Sequence, residues 1–228
     1  MADIQIFEPG GRAIAYADDH HHKGPAVVLL PGLGLKIGYL GLLAEALAEE
    51  DFRVLRVGAR SVDAEEPATL HDLAQDVLDV MDHVGLTRAW VGGHEFGGTI
   101  ARTVSIDHPE RVAGVLLLGV EGASPLDVVH VEGSDVPEGA RNAALAAMQA
   151  AARAATPDIA WNSLAPVIPV LVLQGTEDVV YPVANAEALR ETAPERISIV
   201  PVEGGMDLFP LTHVAPTAWP IEDYLDWD

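Results

Sequence analysis

The stretch Trp90-Val91-Gly92-Gly93-His94-Glu95-Phe96-Gly97-Gly98-Thr99-Ile100 decides how the chain is read. An apolar run, Ala89 to Val91, breaks at glycines, turns sharply and opens into a helical pattern. A strand-to-helix turn this tight leaves no room for Cβ atoms, which accounts for Gly93, Gly97 and Gly98. The central residue, Glu95, is then expected to sit strained and exposed at the strand's end.

Working outward, Ala26 to Leu30 is a continuous apolar run suited to a parallel strand buried on both faces. It ends in Pro31-Gly32-Leu33-Gly34, and Ile37 to Glu50 shows helical periodicity. Arg53 to Val57 reads as a strand, and Leu70 to Val84 as a helix with Leu73, Val77, Leu78 and Met81 on one face. After the central turn come a helix from about Phe96 to Asp107 and a strand, Ala113 to Leu118. Upstream, Ile4 to Phe7 and Arg12 to Tyr16 alternate around Pro9-Gly10-Gly11 as a hairpin. Strands and helices alternating in this way argue for an α/β fold with a mostly parallel sheet and helices on both faces.

Between Glu121 and Pro166 the rhythm changes. Pro, Gly and charge come first, then an alanine-rich helix from about Glu138 to Ala155, read as a short helical cap or as an ordinary packing helix. Val167 to Leu173 resumes the sheet, Val183 to Thr192 is a helix, Ile197 to Val202 a last strand and Ile221 to Trp227 a terminal helix. With no internal repeat or linker, residues 1–228 are expected to form a single domain with a cap insertion at about 121–166.

Composition narrows the partners. Net charge is −22 with two lysines, Lys23 and Lys36, a surface that repels nucleic acid and anionic membranes. There is no apolar run long enough to cross a membrane and no signal-peptide pattern, and no cysteine for disulfide or thiolate chemistry; a cytoplasmic location is expected. His20-His21-His22 reads as a solvated loop, since adjacent extended residues point apart. No cofactor or metal is expected. A small-molecule substrate or ligand is the expected partner, with a homodimer left open.

The motifs resemble those of the α/β-hydrolase superfamily, in its order and over nearly the whole chain. Leu29-Leu30-Pro31-Gly32-Leu33-Gly34 looks like the H-G-x-G loop after strand three, and Gly93-His94-Glu95-Phe96-Gly97-Gly98 like the G-H-S-x-G-G nucleophile elbow. His108-Pro109-Glu110-Arg111-Val112 resembles the H-P-x-R-V segment. The stretch Leu171 to Asp178 resembles the loop carrying the triad acid, and Pro201 to Asp207 the loop carrying the triad histidine. The D-x-R-G-x-G-x-S stretch survives only as Arg56-Val57-Gly58-Ala59-Arg60-Ser61.

Carried over residue by residue, the acid position holds Asp178, the nucleophile position Glu95 and the histidine position Met206. Glu95 has no hydroxyl and Met206 moves no proton, so ordinary serine-esterase chemistry is excluded. Family members with Asp at the elbow open halides or epoxides, but a glutamyl ester here would lack its water-activating histidine. The resemblance places the Leu33 and Phe96 amides as oxyanion-hole donors. Glu95, at a helix N-terminus that favours its ionised form, then suits acid–base chemistry next to a carbonyl: hydrolase-like, lyase or cyclase. In the competing reading Glu95 folds onto those amides and Met206 fills the histidine's volume, leaving a non-catalytic binding protein. His94 is expected to be structural, and His213 would replace the lost base if its loop folds inward. Glu121 reads as a supporting acid or a solvated rim residue.

Overall fold

The computed structural model describes residues 2–19, 24–61, 68–123 and 136–225. Its strands are β1 (Gln5–Phe7), β2 (Ile14–Asp19), β3 (Ala26–Leu30), β4 (Arg53–Arg60), β5 (Ala89–His94), β6 (Val112–Leu118), β7 (Val170–Gly175) and β8 (Ile197–Val202). They form one sheet in the order β1-β2-β4-β3-β5-β6-β7-β8. β2 runs antiparallel to β1 and β4, and every other pairing is parallel. This is the α/β-hydrolase arrangement, with the expected hairpin at one edge.

The helices are α1 (Gly41–Glu49), α2 (Leu70–His83), α3 (Phe96–Asp107), α4 (Ala143–Ala154), α5 (Val183–Thr192), α6 (Phe209–Thr212) and α7 (Val214–Leu225). Alternation within β3 explains why helices cover both faces. Val28 and Leu30 join a core with Val77 and Met81 of α2 and Ile100 of α3. Val27 and Leu29 join a second core with Leu43 and Leu47 of α1 and Ile221 of α7. A strand whose neighbouring side chains both find apolar partners has no polar face, hence its unbroken run.

Several boundaries differ from expectation, each for a local reason. The alanine-rich helix starts at Ala143 because the Asn142 side chain caps it, accepting from the Leu145 amide. Residues before the cap instead pair with the loop after β3, through a bridge between Leu35 and Arg141. Val167 takes φ 59° and is 86% exposed, so the chain turns there and β7 begins only at Val170. The terminal helix begins at Val214 and runs through Pro220. Ile37–Leu40 is a 3₁₀ turn preceding α1. Trp227 and the His20-His21-His22 tract lie outside the described residues.

The degenerate stretch Arg56 to Ser61 has become scaffold. Arg56 and Asp19, both fully buried, pair at 2.5 Å between β4 and β2. Asp76 of α2 takes Arg60 at 2.5 Å and Arg12 as well. Removing one partner of such a pair leaves a buried charge and costs roughly 3–5 kcal/mol.

Candidate active site

Glu95 stands at the junction of β5 and α3 with φ 50° and ψ −112°, a strained backbone for a residue with a Cβ. Contact forces this turn. A Cβ on Gly93 would lie 2.2 Å from the Gly97 carbonyl carbon, and one on Gly97 would lie 2.4 Å from the Leu30 oxygen. Glu95 itself is only 5% exposed, where the sequence pointed to exposure, because the loop after β3 closes over it. A Cβ on Gly32 would meet Glu95 Oε2 at 2.8 Å and His94 Nδ1 at 3.1 Å, so glycine at 32 makes room for the carboxyl.

Burial works against the ionised state expected of Glu95. Burial lifts its pKa well above the carboxylate range, the charges of Glu121, Asp207 and Asp178 lift it further, and Arg141 opposes them. These outweigh the partial charge of one helix terminus. Burial and the crowding carboxylates therefore favour the protonated form of the Glu95 carboxyl. It does not fold onto the candidate oxyanion amides: among the described residues, neither the Leu33 nor the Phe96 amide donates a hydrogen bond to a protein group.

His94 is scaffolding. The Gly32 amide donates to Tyr39 Oη at 2.9 Å, the Tyr39 hydroxyl reaches His94 Nδ1 at 2.9 Å, and His94 Nε2 lies 2.6 Å from the Asp207 carbonyl. A carbonyl only accepts, so Nε2 carries the proton and Nδ1 accepts from the tyrosine. Burial holds this imidazole neutral, its pKa drawn down to about 4. Nε2 also lies 3.4 Å from Glu95 Oε1, but its proton is already aimed at Asp207.

On the other side, Asp178 is 5% exposed after β7. Its Oδ1 accepts from the amides of Val180 and Tyr181, at 2.9 and 2.8 Å. Oδ2 is buried without a hydrogen-bond partner, as is the Tyr181 hydroxyl. Burial pushes the Asp178 pKa up to about 6, against those two amides. The same burial, with Glu95 next, raises the Tyr181 phenol.

Met206 does not fill the histidine's volume: it is 55% exposed. Among the described residues His213 makes no hydrogen bond or ion pair with Glu95 or Asp178. It closes α6, its Nδ1 lies 2.9 Å from Thr212 Oγ1, and its Nε2 lies over Gly204. The structure thus brings together Glu95, Leu33, Phe96 and Asp178, and leaves Met206 and His213 outside that group. Among the described residues no three His, Asp or Glu side chains converge to hold a metal ion.

Sequence reasoning missed Arg153 and Gln149, and of its two readings of Glu121 the structure excludes the solvated rim: Glu121 is 4% exposed, accepting from Thr99 Oγ1 at 2.6 Å and from Arg153 Nη2 at 2.6 and 2.7 Å. The Arg153 guanidinium lies 5.0 Å over the Phe96 ring. Gln149, also on α4, accepts the Gly34 amide at 2.7 Å. All four contacts join elements far apart in the chain, where local pattern carries no signal.

Comparisons with known proteins agree with this geometry. Residues 25–154 match the alpha/beta hydrolase fold family. A putative carbamate hydrolase RutD of Caulobacter segnis is 37% identical over 101 residues, 42% of this chain and 38% of that protein. Epoxide hydrolase B of Mycobacterium tuberculosis is 32% identical over 136 residues, 57% of this chain and 38% of that protein. The matched stretch thus spans well under half of each relative. A thermophilic esterase from Thermogutta terrifontis superposes with a TM-score of 0.77 at 23% identity, over 99% of this chain and 98% of its own. An epoxide hydrolase from Vigna radiata does so with a TM-score of 0.75 at 14% identity, over 100% and 98% of the two chains. An eight-stranded, mostly parallel sheet, a glycine-lined elbow at residue 95 and a family match running from β3 through α4 together make this chain a member of the alpha/beta hydrolase fold family.

Proposed function

We propose that the chain is an atypical α/β-hydrolase-family enzyme acting on a small carbonyl-containing substrate, with Glu95 as acid or base in place of serine. One observation carries this reading: a buried carboxyl with a raised pKa held at the strained elbow, beside two backbone amides that no protein group among the described residues has claimed. In this reading the Leu33 and Phe96 amides bind the carbonyl oxygen and stabilise the negative charge that grows on it. Glu95 then delivers a proton to the departing or forming group and takes one back when the cycle closes. Asp178, ionised above about pH 6, offers Oδ2 as acceptor for a water or substrate N–H or O–H. Hydrolase-like, lyase and cyclase chemistry all use these parts. The relatives are named as hydrolases, which favours the first.

The second reading, a non-catalytic protein that binds a small ligand, is favoured by one feature: no histidine serves Asp178, and the only proton on neutral His94 is committed to a carbonyl. A small-molecule partner, a cytoplasmic location and the absence of nucleic-acid binding go with either reading, given the charge of −22. No helix among the described residues is long and apolar enough to cross a membrane.

Turnover of aryl esters, lactones and β-keto acids separates the two readings. Activity in the protein and its loss in Glu95→Gln and Glu95→Ser is expected. No turnover of any class by the protein or either variant leaves the binding reading.

A further inference from the structure

Beside the elbow lies a second, open pocket of about 250 Å³, walled by Thr99, Arg102, Glu121, Arg153, Ile159 and Trp161. Thr99 is one helical turn beyond Glu95 on α3, and Arg153 covers Phe96, so the pocket adjoins the candidate active site.

Among the described residues its charges do not balance. Arg102 is 4% exposed and pairs with no carboxylate among them. Its guanidinium is spent on the carbonyls of Ala160, Trp161 and Ser163 and on Thr99 Oγ1. Burial lowers its pKa only to about 10, so it stays charged. Arg153 has a single carboxylate partner, Glu121, and meets it through Nη2 alone, leaving Nε and Nη1 without hydrogen bonds among the described residues. Two guanidiniums thus share one carboxylate, in a protein whose net charge is −22. A buried charge costs free energy unless paired, and a concave site of one sign focuses ions of the other.

We propose that this pocket binds the carboxylate end of the substrate, which makes that substrate a small carboxylic acid carrying a second, reactive carbonyl. The carboxylate takes the free edge of the Arg153 guanidinium, planar against planar. An apolar or aromatic body lies along Ile159 and Trp161, and the reactive carbonyl reaches the Leu33 and Phe96 amides. The pocket's role as a substrate subsite rests on the acid–base reading of Glu95; the binding of a carboxylate does not.

Calorimetric titration of the full chain with benzoate, benzamide and benzylammonium tests it without turnover. Benzoate is expected to bind, with benzamide at least tenfold weaker and benzylammonium weaker still. Arg153→Met, which keeps the aliphatic stem over Phe96, is expected to weaken benzoate at least tenfold. Glu121→Gln, which releases Arg153 from its partner, is expected to tighten benzoate several-fold. Equal affinity for benzoate and benzamide, or benzoate binding indifferent to Arg153→Met in a protein with an unshifted melting point, would overturn the proposal; so would weaker benzoate binding by Glu121→Gln. Glu95→Gln separates the two ideas. Benzoate binding unchanged by it is expected. If neutral esters turn over through Glu95 while benzoate fails to bind, the subsite falls alone; if benzoate binds through Arg153 and no Glu95 variant changes any reaction, the acid–base reading falls alone.

Discussion

The two halves of the candidate site have fared differently. On the side of β3 and β5, everything built from backbone is in place: the Gly32 loop, the strained turn at Glu95 and the amides of Leu33 and Phe96. On the side of β7 and β8, where the family resemblance expects side chains to do the work, Asp178 has an oxygen with no partner and Met206 points outward. The difference follows from what holds each half. A Cβ on Gly93 or Gly97 would lie 2.2–2.4 Å from neighbouring backbone, so these positions tolerate no other residue, whatever the chemistry. An exposed side chain on a loop is free to change.

Restoring the lost chemistry is the sharpest way to test that contrast. If the backbone half is intact, Glu95→Ser with Met206→His is expected to hydrolyse aryl esters ~10²–10⁴-fold faster than Glu95→Ser alone, the range general-base help supplies. Equal rates would show that the loop after β8 has lost the geometry as well as the residue. Next in size, Gly93→Ala is expected to destabilise by ~3 kcal/mol or more, through an overpacked turn, lowering Tm by ~6–12 °C in thermal melts. An unchanged Tm would break the claim that contact fixes the elbow.

A smaller effect depends on pH. Burial raises the folded-state pKa of Glu95 above its unfolded value of ~4.3, so folding favours proton binding and stability declines as pH rises above that value. Glu95→Gln removes this decline. Its Tm is expected to exceed that of the parent protein at pH 8 by a few degrees, each unit of raised pKa being worth ~1.4 kcal/mol, and to converge with it near pH 4. Asp178, raised to about 6, adds the same sign of decline up to that pH in both proteins. The smallest effect belongs to Met206→Ala, expected within ~0.5 kcal/mol because the side chain is over half exposed; a larger loss in a urea titration would mean that it packs after all.

What the sequence made legible follows the same division. β3, α5 and β8 lie where their apolar patterns end, since strand and helix periodicity are local properties. The elbow glycines were readable because close backbone contact leaves one residue type. Glu121 was not: its burial depends on Arg153, 32 positions later, on a helix whose alanines gave no hint of a charged partner. The raised pKa of Glu95 was hidden likewise, because the carboxyls that crowd it come from three other loops.

One more consequence follows from the way α4 meets the loop after β3. Leu35 bridges Arg141, the Lys36 amide donates to the Ala140 carbonyl, the Asn142 amide to the Gly34 carbonyl, and the Gly34 amide to Gln149. Gly34, with φ 67°, has no space for a side chain against Ala146. The helix and the loop are therefore interlocked like the two sides of a seam. A swing of α4 away from the sheet would have to unpick the segment that carries the Leu33 amide, so admission and reactivity cannot be adjusted separately on that side of the molecule.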